Sequence, residues 1–161
     1  MTKRDSQGPA DESQIVIEIK RVMKVTKGGK RLKFRAVVVV GNRKGTGGFG
    51  VGKASEVPEA IRKATEKARK NQVCVSVDGT TIPHQVEAKY SASRVILKPA
   101  SRGHGMVVGK TMRAYLEVLG ISDIVGKVIN STNTINVLHA THAALQQLKP
   151  VERVADETTP T

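Results

Sequence analysis

From Ile15 to Lys20 apolar and polar positions alternate, with Ile15, Ile17 and Ile19 on one side and Val16, Glu18 and Lys20 on the other. That period of two predicts a strand. Lys27-Gly28-Gly29-Lys30 supplies a turn, and a second strand follows with Leu32, Phe34 and Ala36 on one face and Lys33 and Arg35 on the other. It runs on through Val37–Val40 and breaks at Gly41-Asn42. Phe49–Ala54 reads as a third strand, its glycines permitting sharp bending or close packing. Glu56-Val57-Pro58 opens a helix, because the missing N–H of Pro58 is unneeded in a first turn. Ala60, Ala64 and Ala68 recur every four residues beside Ile61, a narrow face able to lie close to a sheet. Arg62, Lys63, Lys67, Arg69 and Lys70 occupy much of the remainder. The order is β-β-β-α.

The pattern changes near Asn71 and Gln72. Val73–Val77 predicts a short strand and Asp78-Gly79 a hairpin turn. Val86–Lys89 and Arg94–Lys98 predict two more strands, the second ended by Pro99. A glycine-rich loop, Ser101 to Lys110, leads into a helix with Met112, Tyr115, Leu116 and Leu119 on one face, and Gly120 is its stop signal. A last helix is predicted from about Thr134 to Leu148, with Asn133 as N-cap. Residues 1–13 and the acidic end, 150–161, are polar and aperiodic and are expected to be tails. The expected class is α+β, with one domain over 14–71 and a second over 72–149.

Charge then separates the halves. The 161 residues carry a formal net charge of +13. Residues 1–71 hold 18 basic and 7 acidic residues, whereas 72–161 hold 9 and 7. The first half is built to face a polyanion. A membrane is excluded as the partner, since there is no apolar run of spanning length and no amphipathic basic helix with bulky apolar anchors. The N-terminus, MTKRDSQGPADES, has the pattern of neither a secretory signal nor a transit peptide. Cys74 is the single cysteine, so no intrachain disulfide is available. Its place in the alternation VCVSV predicts a buried, inert thiol, consistent with a reducing compartment.

The charge is concentrated. Between Lys24 and Ala54 stand nine Lys or Arg residues, eight glycines and no acid. Lys24, Lys27, Lys30, Arg31, Lys33, Arg35, Arg43, Lys44 and Lys53 are candidates to neutralise phosphates, and Gly28, Gly29, Gly48, Gly50 and Gly52 to let the backbone approach them. Gly45 to Gly50 satisfies GxGxxG, but dinucleotide binding needs an immediate helix, and the next helix waits until Pro58. Gly47-xxxx-Gly52-Lys53 resembles a phosphate-binding loop, yet Ala54 stands where a Mg²⁺-binding hydroxyl is required, and a hairpin explains Asp78 better than a metal-binding strand. Phe49 alone cannot make the aromatic platform of an RNA-recognition motif. His139 and His142, with Glu117 and Asp123 upstream, complete no metal set, and no GxSxG nucleophile elbow occurs. No cofactor, metal or catalytic residue is expected. Two rivals stay open: a free nucleic-acid-binding regulator, and a P-loop hydrolase.

The ordered segments KGGKRLKFRAVVVVGNRKGTGGFGVGKASEVPEAIRKATEKARKN, PH, SRVILKPAS, MRAYLEVLGI and STNTIN resemble the small-subunit ribosomal protein number five family, from about Val22 to Leu148. The resemblance implies a double-stranded-RNA-binding-like domain followed by a second βα domain. It implies a non-enzymatic, ribosome-bound protein of the cytoplasm, with a plastid left open. The implied partners are small-subunit ribosomal RNA, ribosomal proteins number four and number eight, and mRNA near its entrance, with an influence on decoding accuracy. It implies an RNA contact for Lys27, Gly28, Gly29, Lys30 and Arg31, and a contact with protein number four for Gly105 and Arg113. The chain departs from the family pattern at Gly47, usually aliphatic, so the third strand is expected to start late or bend more. His104 and Lys110 intrude on a loop that is usually small and apolar. Asn130 and Thr134 replace the usual glycine and proline before the last helix.

Overall fold

The computed structural model describes residues 12–150. The chain folds as two sheets and three helices. Strands β1 (Ser13–Thr26), β2 (Gly29–Gly41) and β3 (Thr46–Ala54) form an antiparallel meander, and helix α1 (Val57–Lys70) returns across it. The two-residue β4 (Val73–Cys74) adds to β3 at the sheet's far edge. The second sheet has the order β5-β6-β8-β7, from β5 (Val86–Tyr90), β6 (Ser93–Pro99), β7 (Met106–Val107) and β8 (Ile124–Asn130). Helices α2 (Lys110–Leu119) and α3 (Thr134–Gln146) complete it. The α+β class and its β-β-β-α beginning agree with the sequence.

Several local expectations are corrected. The third strand begins at Thr46, three residues early, and Gly47 is paired within it on both sides, with Gly41 and Val73. A Cβ on Gly47 would lie 2.8 Å from a Leu119 methyl, so the missing side chain makes room for α2. The strand from Val73 is two residues long and belongs to the first sheet, which leaves Cys74 exposed while Val75 is buried. Strand β8 has no counterpart in the sequence reading. Glu12 and Ser13, expected in a tail, are ordered: Ser13 opens β1 and Glu12 pairs with Arg69 at 2.7 Å. The rest of the two predicted tails, apart from Pro150, lies outside the described residues.

Other signals hold. Asp78 and Thr81 exchange backbone hydrogen bonds of 2.9 and 3.1 Å around Gly79 at φ 63°. The Asn133 side chain accepts from the Ile135 N–H at 3.1 Å, capping α3. Asn130 takes the left-handed φ of 68°, which asparagine tolerates better than most residues, and Thr134 starts α3 where a proline would also fit. His104 and Lys110 are exposed and displace nothing in the core.

The first sheet is covered on both faces. Ala36, Val38 and Val40 of β2 meet Ala60, Ala64 and Ala68 of α1 in one small core. Val37, Val39 and Phe49 point the other way and join Tyr115, Leu116, Leu119 and Leu138 in the main core, so the two halves share a single apolar interior. Phe49 stands edge-on to His139 at 4.7 Å and to His142 at 5.5 Å. Tyr115 and the His142 Nδ1 share a 2.6 Å hydrogen bond, and Tyr90 stacks on His139 at 4.3 Å. Phe49 is thus a core residue and offers no base-stacking surface.

Closeness to α1 fixes the chemistry of β3. A Cβ on Gly48, Gly50 or Gly52 would lie 2.5, 2.1 and 2.1 Å from the carbonyl oxygens of Ala68, Ala64 and Ala60. Gly50→Ala is therefore expected to lose about 2–3 kcal/mol in urea unfolding. Exposed Lys53→Ala should stay within about 0.5 kcal/mol of the parent. The histidine cluster predicts a pH dependence. Burial lowers the pKa of both His139 and His142, and His139 lowers that of His142 further. The fold holds them neutral while the unfolded chain protonates near pH 6.5, so their contribution is full above that pH and declines below it. The urea midpoint should fall from pH 7.5 to pH 5.5, and less so in His142→Gln.

Candidate nucleic-acid interface

The β1–β2 hairpin runs past the end of β3, which pairs with β2 only as far as Phe34. Register sorts its side chains. On the face continuous with Val37 and Val39, Lys20 stands opposite Arg35, Val22 opposite Lys33, and Lys24 opposite Arg31. Lys53 of β3 lies beside Arg35, so Lys20, Arg35 and Lys53 form a row across three strands. Six cations thus share one face. Among the described residues, the Glu18 carboxylate pairs with Lys20 at 2.7 Å, and none lies within ion-pair distance of Lys24, Arg31, Lys33, Arg35 or Lys53. Val22, Lys24, Arg31, Lys33 and Lys53 are among the residues lining a shallow cavity of about 360 Å³ there.

The opposite face of the hairpin is mostly apolar, with Arg21 and Lys30 as its cations. Ile19, Met23 and Leu32 are exposed on it, and Val25, opposite Lys30, is 74% exposed. Lys27 and Gly28 make the tip, where the Thr26 hydroxyl donates to the Gly29 carbonyl at 2.9 Å. No atom lies within 4 Å of a Cβ built on Gly28 or Gly29. The tip can therefore approach a phosphate backbone closely, as expected of a basic glycine turn.

Lys53 also borders a second groove, about 510 Å³, between β3 and α1, lined by Val51, Lys53, Lys63, Glu66, Lys67 and Lys70. Lys63 is held by Glu59 at 2.7 Å, an i,i+4 pair that lowers the Glu59 pKa. The cationic surface accordingly turns from the hairpin onto α1 through one shared lysine. Sequence reasoning missed Lys20 from this set, although its four-residue spacing from Lys24 placed both on one strand face.

Two groups of candidates do not join this surface. Gly48, Gly50 and Gly52 were expected to touch nucleic acid, but they are buried under α1 and their backbone faces helix carbonyls. The phosphate-loop pattern from Gly47 to Lys53 lies wholly inside β3, with no cradle of free N–H groups. Arg43 and Lys44 sit at the other end of β2, about 40 Å from the hairpin tip for an extended strand of that length. Arg43, at φ 56°, donates its N–H to the Val118 carbonyl at 2.9 Å, and the Asn42 side chain accepts from the Lys44 N–H at 2.9 Å. They form a separate basic corner against the end of α2.

Gly105 and Arg113 lie together on the second domain. The Gly105 N–H donates to Asp123 at 2.8 Å, and the Arg113 guanidinium donates to the Met106 carbonyl at 3.0 Å. A Cβ on Gly105 would meet nothing within 4 Å, so this loop presents an open outer surface. Glu117, Met106 and Arg43 line a shallow cavity of about 480 Å³ nearby.

Two family models match the chain in order along its length. The model described as ribosomal protein S5, N-terminal domain, covers residues 13–76, and ribosomal protein S5, C-terminal domain, covers residues 88–158. The first match spans β1 through β4 and the second opens within β5.

Proposed function

Because the chain belongs to the ribosomal protein S5 family of rRNA-binding proteins of the small subunit, we propose that its hairpin is the main contact with small-subunit ribosomal RNA. The observation that carries this reading is the exposed cationic face of β1, β2 and β3. Lys24, Arg31, Lys33, Arg35 and Lys53 would neutralise phosphates there, with Lys27 and Lys30 at and beside the tip and Gly28 and Gly29 allowing close approach. Lys63, Lys67 and Lys70 extend the track along α1, and Arg43 with Lys44 makes a second, separate point of attachment. Contacts of this kind fix position and orientation on folded RNA and read no base sequence. The scarcity of exposed aromatics supports grip by phosphate, ribose and shape over base stacking.

The finer assignments follow from the family. The loop at Gly105 and the start of α2 at Arg113 would face ribosomal protein number four, with number eight as a second neighbour. The protein would stand near the mRNA entrance of a cytoplasmic ribosome and bear on decoding accuracy. It would act there as a scaffold, in keeping with a family of structural proteins and not of enzymes.

Each phosphate neutralised contributes about −0.7 to −0.9 to the slope of log affinity against log salt. Replacing Arg31 and Lys33 together by Ala should flatten the slope for a small-subunit RNA fragment by about 1.4–1.8, with no fall in the urea midpoint. The Arg43→Ala change should flatten it independently, by one contact or less. An unaltered slope in the double variant would remove the hairpin face from the site. Cosedimentation of the native protein with the small subunit tests the ribosomal setting itself.

A further inference from the structure

Asp123 is the only buried carboxylate among the described residues, at 5% exposure. It lies between α2 and β8, where three separate segments converge. The Thr80 carbonyl, in the turn after Asp78, accepts from the Ser122 and Asp123 N–H groups at 2.9 and 3.0 Å. The Asp123 carboxylate accepts the Gly105 N–H at 2.8 Å, and the Gly105 carbonyl accepts the Ile124 N–H at 3.2 Å. The Thr81 hydroxyl accepts the Ala100 N–H at 3.1 Å, tying the entrance of the same loop to the same turn.

The carboxylate is held ionised. Its pKa is lowered first by the Thr80 hydroxyl, then by the Gly105 N–H, and further by the Gly103 N–H and the charge of His104, against the opposing effect of burial. The Thr80 oxygen is buried and makes no hydrogen bond of normal geometry, so it bears on the carboxylate from nearby without a formed bond. Gly103 and Gly105 have φ of 84° and 79°, conformations other residues rarely adopt, while a Cβ on either would meet open space. Their glycines thus serve backbone shape and not packing. The loop makes few other bonds: His104 donates its N–H to the Ser101 carbonyl at 3.1 Å, and residues 101–104 are exposed.

We propose that Asp123 is the positioning residue of the partner-protein surface, its carboxylate fixing the Gly103–Gly105 loop in a left-handed shape that presents Gly105 beside Arg113. The loop-fixing role stands on the geometry; its use in docking rests on the reading of this loop as the contact with ribosomal protein number four. An ionised carboxylate accepts from several donors at once, whereas an asparagine amide turns a donor toward at least one of them.

In full-length Asp123→Asn, amide exchange at Gly105 should quicken about ten-fold, the scale of losing a charge-assisted bond. Exchange in β1–β3 and the salt slope of RNA binding should not change. Affinity for isolated ribosomal protein number four should fall about ten-fold through the disordered loop. Unchanged loop exchange overturns the proposal. Faster exchange with unchanged affinity upholds Asp123 as the loop's anchor and removes the docking surface from this loop. Asp123→Glu, which keeps the charge but moves the carboxylate, gives a second readout should Asp123→Asn fail to fold: the Gly105 amide should quicken, and unaltered exchange there overturns the proposal.

Discussion

The closeness of α1 to β3 governs the first sheet. Helix carbonyls of Ala60, Ala64 and Ala68 stand where side chains of β3 would otherwise be, so every second strand residue from Gly48 to Gly52 lacks a Cβ. Alanines at four-residue spacing on the helix and glycines at two-residue spacing on the strand meet because both repeats keep one face of their element narrow. With α1 drawn in this far, a core of alanines and valines fills one side of the sheet completely. Bulkier apolar residues, Val37, Val39 and Phe49, fall on the other side and recruit the second domain. The part of the hairpin beyond β3 is left to carry charge.

The join between domains is more than apolar. A helix ends with four carbonyls that lack intrahelical partners. In α2 the Leu116 carbonyl takes the Ile121 N–H and that of Glu117 the Gly120 N–H, both in the helix's own turn. The Val118 and Leu119 carbonyls take N–H groups of Arg43 and Gly45, from the loop between β2 and β3. Half of the helix cap therefore belongs to the other domain. Gly120 makes the approach possible, since a Cβ there would lie 2.2 Å from the Arg43 carbonyl. Arg43 is fixed by its backbone before its side chain does anything, which is why this basic corner keeps a definite place relative to the hairpin.

What could be read from the sequence followed from short-range rules. Strands β1 and β2, the turn at Gly79, the alanine face of α1, the apolar face of α2 and the Asn133 cap each follow from local spacing or from one residue's conformational preference. What could not be read depended on partners distant in the chain. Strand β8 was missed because Gly126 and Lys127 interrupt its alternation, and its order comes from lying between β6 and β7. Cys74 was misplaced because alternation gives two faces without saying which is buried. The glycines of β3 were assigned to phosphate because a permissive backbone serves a ligand or a helix equally well, and only tertiary packing decides. Arg43 and Lys44 were grouped with the hairpin because sequence proximity hides the length of an extended strand.

The surviving surface bears a cost that points to its partner. Like charges directly opposite on neighbouring strands repel and destabilise a sheet. Arg35 nevertheless lies between Lys20 and Lys53, and Arg31 faces Lys24. A buried Nε of Arg35 finds no hydrogen-bond partner within the protein. A fold selected for its own stability would alternate signs here, as Glu59 and Lys63 do on α1. Glu18 relieves the repulsion at Lys20 alone, and on the proposed reading phosphates spaced along a folded RNA would relieve the rest. Electrostatic strain in the unbound hairpin and affinity for RNA are then two aspects of one arrangement. On that reading, charges spread over a paired hairpin whose base is held by α1 would meet the RNA with little backbone ordering left to oppose binding.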